Sequence, residues 1–493
     1  MKRLHPWVTP GVMLGTMMAL LGLAVPAASA QEDLWKQHMG AASQALQKND
    51  SREAMLAFQA AIREAEKFGS EDPRLANTLD LAGTFLGSQG QLTEAESLLK
   101  RSLAIRERNL GMDHPDVAAS LDSLARFYDM QGMQDQAEPL LLRSLKIREQ
   151  KFGNDHREVD ASLNRLAAVY DAEGRYSEAA PLLKRSLEIR ETVLGPDDPL
   201  VAATMNNLGL LYQKNDKLAE AETLIKRAWE IREKHFGLRH LETDNSISSM
   251  AGVYRDQDKN VEAENLFALS LSIRENILSR KNPMDALLAA GLKDLAGMRL
   301  SLGKYAESQP LLERSLVIEE KLLGTEHPLL VVTLTDLARV HLNQQHYPEA
   351  QQLLKRALAI QETSSGLKHI SITATLNQLA EAYDRQGIHD RALPLLKRSQ
   401  DILESSGPEG QLNLAATLDM LGRHYFSQQK YADAEPFFRR SVEVAEKALG
   451  QSHLFVAEIL AHYAALLRAT GRASEAESLD ARMQTIRSSQ ETK

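Results

Sequence analysis

Cysteine is absent from all 493 residues, so neither a disulfide framework nor a thiolate metal site is open to this chain. A block of basic charge is absent too. The 58 Lys and Arg residues are interleaved with 67 Asp and Glu, for a net charge of −9. That excludes the basic stripe a phosphate-tracking nucleic-acid binder needs. There is no Gly-rich phosphate loop, no Gly-x-Ser-x-Gly elbow and no His-Glu-x-x-His. Carboxylates are plentiful, but the sequence places no two of them across a cleft, so no catalytic residue, no cofactor and no metal site is predicted. Long apolar runs are missing except one, Val12 to Val25, which follows Lys2 and Arg3 and leads to Ala28-Ser29-Ala30. This reads as a signal peptide cut after Ala30, too short to span ~30 Å of hydrocarbon. The mature chain would be residues 31–493 with a charge of −11, since Lys2 and Arg3 leave with the leader. The expectation is an exported protein, periplasmic or secreted, with no integral membrane span after cleavage.

What the chain does have is a clock. Leu98-Leu99-Lys100-Arg101-Ser102-Leu103 has counterparts starting at Leu140, Leu182, Leu224, Leu266, Leu311, Leu353, Leu395 and Phe437. Seven of the eight steps are 42 residues, and the step from Leu266 to Leu311 is 45. A fixed period of that size means stacked supersecondary units, each contacting mainly its neighbours. In residues 117–153, Leu121, Leu124, Ala125 and Tyr128 mark one face of a first helix, which ends at Gly132. Ala137, Leu140, Leu141, Ser144, Leu145 and Ile147 lie on a second helix that stops at Phe152-Gly153. Pro73, Pro115, Pro199, Pro283 and Pro328 suit first helical positions, and Asp72, Asp198 and Asn282 suit the caps before them. Thr93 with Glu96, and Ser474 with Glu477, fit capping boxes for second helices. Small residues fall where paired helices must approach, as in Ala125 with Ala137, Ala167 with Ala179, Gly209 with Ala221 and Ala380 with Ala392.

This pattern of small and large positions resembles the tetratricopeptide repeat. Gly111-Met112-Asp113-His114-Pro115-Asp116-Val117-Ala118, Asn206-Asn207-Leu208-Gly209 and Tyr431-Ala432-Asp433-Ala434-Glu435-Pro436 resemble the 42-residue kinesin light chain subfamily of that repeat. Anchoring on the small residue of the second helix, from Ala54 to Ala476, gives eleven units across residues 34–487. The resemblance implies an all-α solenoid, a right-handed superhelix of about eleven helix–turn–helix repeats. Its inner surface, built by the first helices, would bind a peptide or partner protein. A kinesin-joining heptad segment is missing, so the partner does not transfer.

Two ladders share a repeat phase. His114, His156, His240, His327, His369 and His453 recur in one loop position, on the order of 10 Å apart if two packed helices set the step. A metal bond needs about 2 Å, so these read as helix-start and loop-packing residues. Arg106, Arg148, Arg190, Arg232 and Arg274 each precede a glutamate, Glu107, Glu149, Glu191, Glu233 and Glu275, and read as a solvated, charge-cancelled face.

The remaining candidates for chemistry are polar residues of the first helices. Asp122, Arg126, Asn164, Arg165, Asn206, Asn207 and Lys214 form the densest set, with Asn377 in a later repeat. In the family that the chain resembles, an inward asparagine pairs with the ligand's backbone amides. Asn207 matches that position, while Asn164, Asn206 and Asn377 stand one residue earlier. An amide offers both donor and acceptor, as a peptide bond requires, but one neutral bond nets about 0.5–1.5 kcal/mol, so several repeats must act together. The expected organisation is a leader at 1–30, half-arrays at 31–278 and 279–487 on either side of the 45-residue step, and a tail at 488–493. The step's extra residues fall around Ser279-Arg280-Lys281-Asn282, where a bend and a protease-sensitive loop are expected. The expected function is a non-enzymatic scaffold binding a protein or peptide, not nucleic acid. The alternative is a ligand-regulated sensor or an assembly factor for an envelope complex.

Overall fold

The computed structural model describes residues 30–278 and 285–491. They hold 22 α-helices, two 3-10 turns and no strand. Two compact units divide the chain, the first ending at Lys217 and the second beginning at Leu218. The first contains α1 (Ala30–Gln47), α2 (Ser51–Glu66), α3 (Pro73–Ser88), α4 (Leu92–Leu110), α5 (Pro115–Met130), α6 (Gln134–Phe152), α7 (Arg157–Ala172), α8 (Tyr176–Leu194) and α9 (Pro199–Lys214). The second contains α10 (Leu218–Phe236), α11 (Leu241–Asp256), α12 (Asn260–Leu278), α13 (Ala286–Ser301), α14 (Tyr305–Leu323), α15 (Leu330–Asn343), α16 (Tyr347–Ser365), α17 (Thr373–Arg385), α18 (His389–Ser405), α19 (Gln411–Ser427), α20 (Tyr431–Leu449), α21 (Leu454–Ala469) and α22 (Ala473–Glu491). Within each unit every helix packs on the next in sequence, and first helices of successive repeats also touch, as α3 touches α5 and α17 touches α19. The expected leader and the loop around Ser279-Arg280-Lys281-Asn282 lie outside the described residues. No described helix is long and apolar enough to cross a membrane.

Local chemistry explains the helix boundaries. Five of the six loop-phase histidines are N-caps, and His327 caps the turn before α15. The Nδ1 of His114 accepts from the Asp116 N–H at 3.1 Å, and His156, His240, His327, His369 and His453 do the same for the residue two further on. Asp72, Asp198 and Asp285 fill the same role with a carboxylate. Pro73, Pro115 and Pro199 occupy the first turn. Two expected starts shift. α13 begins at Ala286 behind Asp285 rather than behind Asn282, and α15 begins at Leu330, leaving Pro328 in the preceding turn. The capping boxes do not form, since Thr93 and Ser474 sit inside their helices and α4 starts without a side-chain cap. The turn between paired helices needs a positive φ, met by Gly132 at 71° and, at greater cost, by Gln345 at 63°.

The core is built from the repeat's small positions. Ala125 and Ala137, Ala167 and Ala179, and Ala380 and Ala392 are all buried. Where the first-helix residue is glycine, the second helix comes closer still. A Cβ on Gly83 would lie 2.8 Å from Leu99 Cγ, and one on Gly422 would lie 2.6 Å from Phe438 Cε1.

Candidate functional site

Three of the five ladder arginines are interior and Arg106 and Arg190 are part-buried, which overturns the reading as a solvated face. The side chains of Arg148, Arg232 and Arg274 are 7%, 2% and 7% exposed. Consecutive residues on a helix point about 100° apart, so an arginine and the glutamate after it never faced each other. The glutamates form a separate outer ladder between second helices, with Glu107 to Arg143 at 2.6 Å, Glu149 to Arg185 at 2.5 Å and Glu362 to Arg398 at 2.5 Å. These pairs are part-exposed and contribute little each.

Arg106, Arg148, Arg190 and Arg274 each lie between the two first helices that flank them. Arg148 donates to Asp122 of its own repeat at 2.6 Å and to Ser162 of the next at 2.6 Å. Arg190 does so with Asp160 at 2.8 Å and Thr204 at 2.9 Å. Arg106 reaches Ser120 at 2.5 Å, Arg232 reaches Ser246 at 2.8 Å, and Arg274 reaches Asp244 at 2.7 Å. In the repeat after Arg274 the hydroxyl position is Gly291, whose missing Cβ leaves room for the guanidinium; a Cβ would stand 3.1 Å from Nη1. Beyond that point the polarity reverses. Lys293 stands at the phase of Asp122 and Glu319 at the phase of Arg148, paired at 2.5 Å, and the Thr333 hydroxyl donates to Glu319 at 2.6 Å.

The first helices of unit 1 are linked along one face by contacts 43 residues apart. Ser123 donates to Asp80 at 3.1 Å, Arg165 pairs with Asp122, and Lys214 pairs with Asp171 at 2.6 Å. This face holds most of the expected site residues, but several are committed inward. Asp122 is buried and accepts from Ser144, Arg148 and Arg165. Asn164 donates to the Asp160 carboxylate at 2.7 Å and to Ser186 at 2.6 Å. Asn206 is 1% exposed, so its amide lies beneath the surface. Asn377, in unit 2, is buried and donates to Thr417 at 2.8 Å. Arg165 and Lys214 are exposed but salt-bridged to Asp122 and Asp171.

Two residues differ. Arg126 and Asn207 are half-buried, and neither side chain is bound in a hydrogen bond or close ion pair among the described residues. Burial lowers the proton affinity of Arg126, the neighbouring Arg165 lowers it further, and Asp80 and Asp122 oppose the shift. Asp80 and Asp171, which set the charge of this face, were not legible as members because their partners sit 43 residues on rather than one helical turn away. Their shared spacing was the available signal.

The tetratricopeptide repeat profile matches residues 74–150, 135–192, 158–234, 200–276, 287–363, 347–405 and 413–487. The chain belongs to the tetratricopeptide repeat family. Among solved structures, this tetratricopeptide array is similar to a Podosopora anserina kinesin-light-chain-type protein of nearly identical TPR-like repeats, at 27% identity over 42% of this chain and 97% of that one, with a TM-score of 0.39. It is similar to BtubC (BKLC) from P. vanneervenii at 22% identity, over 51% of this chain and 93% of that one, with a TM-score of 0.37. The apo quorum sensor NprR from B. thuringiensis shares the fold, at 15% identity over 77% of this chain and 99% of that one and a TM-score of 0.53. No curated protein matches the chain.

Proposed function

We propose that this tetratricopeptide array is a non-enzymatic scaffold that binds an extended segment of a partner protein on the first-helix face of α5, α7 and α9. The observation that carries the reading is the pair Arg126 and Asn207. On a face where the other polar groups named above are tied to internal partners, these two keep donors and acceptors available. Asn207 offers the paired donor and acceptor that a peptide backbone needs, and Arg126 offers a charge. A micromolar complex, about −8 kcal/mol, requires contacts on several repeats beyond these two.

The test uses a photo-cross-linking amino acid at position 207 in intact cells, with one at position 185 on the outer ladder as the comparison. A partner captured from position 207, whose purified complex weakens at least tenfold with Arg126→Gln and Asn207→Ala together, supports the scaffold. Capture from position 185 alone, or a double variant that binds as well as the parent, refutes the chosen face. A small ligand that stabilises the purified array with no protein partner favours the sensor reading instead. Export belongs to the same proposal. Recovery from a periplasmic or secreted fraction of a chain beginning at Gln31 supports it, and an intact leader on a cytoplasmic chain refutes it.

A further inference from the structure

Two histidines outside the loop phase meet in unit 2. Asp384 is the penultimate residue of α17, His389 opens α18, and His424 lies one turn before the end of α19. Asp384 Oδ1 is 2.9 Å from His389 Nδ1 and 2.8 Å from His424 Nδ1. One ligand atom from each of the three residues can be chosen so that all lie within 4.8 Å of one another. Packing does not explain these side chains. At the phase of His424 other repeats carry apolar residues, among them Phe127, Leu211, Met298, Val340 and Ala382, yet the imidazole is 2% exposed. Asp384 is set apart from Asp122 and Asp171 on unit 1, which have Arg148 and Lys214: among the described residues no lysine or arginine pairs with it, and its carboxylate meets two imidazoles instead.

The hydrogen bonds around His424 define its state. Lys430 Nζ donates to Gln428 Oε1 at 2.8 Å, which turns the Gln428 Nε2 toward His424 Nε2 at 2.8 Å. His424 Nε2 therefore accepts, and its proton sits on Nδ1, donated to Asp384. Two imidazole nitrogens and a carboxylate oxygen thus converge on one point.

We propose that Asp384, His389 and His424 form a binding site for a divalent transition metal of the zinc class, with three protein ligands and one position left for water. Imidazole and carboxylate donors suit Zn²⁺ and, without thiolates, do not suit Cu⁺. A tetrahedral ion with bonds of about 2.0–2.2 Å sets its ligand atoms about 3.3 Å apart, so the two short contacts open by about half an ångström on loading. Each imidazole moves its proton from Nδ1 to Nε2 as Nδ1 takes the metal. For His424 the Gln428 amide then turns over and accepts that proton's hydrogen bond through Oε1, the outer-shell contact a metal-bound histidine requires.

The test is calorimetric titration of the chelator-stripped full chain with Zn²⁺, with Co²⁺ absorption reporting coordination geometry. The expected result is one Zn²⁺ per chain and an intense tetrahedral Co²⁺ band. Asp384→Asn and His389→Ala should each weaken binding at least tenfold, while His341→Ala, in the separate His341–His346 pair, leaves it unchanged. Circular dichroism checks folding. Should Asp384→Asn fail to fold, His389→Ala at a half-exposed helix start decides. No Zn²⁺ uptake at millimolar metal, or uptake that His389→Ala leaves intact, overturns the site.

Discussion

Substituting Gly422 by alanine should reverse its sign of effect with the residue it faces. In the interior of α19, alanine in place of glycine gains about 1 kcal/mol of helix propensity. The new Cβ would lie 2.6, 2.7 and 2.9 Å from three ring carbons of Phe438, where carbon contacts normally rest at about 3.5–4.0 Å. The ring must retreat by about 1 Å. Phe438 is 1% exposed, and the rings of His462 and Tyr463 lie nearby. Overpacking of this kind costs about 1–3 kcal/mol, and a rigid ring met at three atoms belongs at the upper end. Gly422→Ala alone should therefore destabilise by about 1–2 kcal/mol net. In a Phe438→Leu background the rigid ring gives way to a flexible side chain that can shift, as Leu99 would at 2.8 Å from a Cβ on Gly83, and the pair becomes the one used by Ala125 with Leu141 and Ala380 with Leu396. There the same alanine should stabilise by about 1 kcal/mol. Urea titrations of the four proteins read the coupling, and hydrogen exchange in α19 and α20 localises it, because repeat arrays unfold in parts. Alanine stabilising equally in both backgrounds would refute the close-approach argument.

Three further outcomes follow from the polar interior. Lys293→Asp places two carboxylates together at the buried Glu319 and should cost about 1–3 kcal/mol, whereas the double variant with Glu319→Arg should recover most of the loss by recreating the arrangement of Asp122 and Arg148; urea midpoints showing no recovery would sink the pairing. Burial pushes the Asp80 carboxyl above its ordinary value, against the pull of Arg106 and Ser123. Its folded state thus holds the proton more tightly, a contribution to stability present below the ordinary carboxylate range and lost as pH rises through the raised value. Asp80→Asn should accordingly gain on the parent at pH 7 and lose that advantage at pH 4, and an equal difference at both pH values would contradict the burial argument. Finally, His114→Ala should cost about 0.5–2 kcal/mol as a lost N-cap, while His114→Asp, the choice made at Asp72 and Asp198, should leave the melting temperature near that of the parent.

The helices and their number were legible because periodicity survives in a sequence. Apolar positions, helix-stopping glycines and capping residues repeat in register, and the 22 helices fit the eleven units so counted. Orientation within a helix was less legible. Arg148 and Glu149 look like cancelling neighbours in a string of letters, yet one is interior and the other belongs to an outer ladder. Asn206 and Asn207 show the same rotation, one beneath the surface and the other half-exposed. The cluster at Asp384 was hidden for another reason. His389 and His424 follow no histidine phase, and for His424 only comparison with the apolar residues at the same phase of other repeats marks it as a departure.

The hydroxyl that opens most joints of the polar ladder has a consequence for how such an array grows. A hydroxyl accepts from an arginine, as Ser162 does from Arg148, and donates to a glutamate, as Thr333 does to Glu319. It is a connector with no sex. A repeat that carries it can follow a neighbour of either polarity, while the pairs Asp122–Arg148, Asp160–Arg190, Asp244–Arg274 and Lys293–Glu319 each travel whole within one repeat; Arg232 instead pairs with Glu242 of the next. Duplication, deletion or transplantation of a unit that carries both its own pair and the hydroxyl therefore leaves the interior electrostatics closed, so the array can change length at such units without compensating substitutions elsewhere.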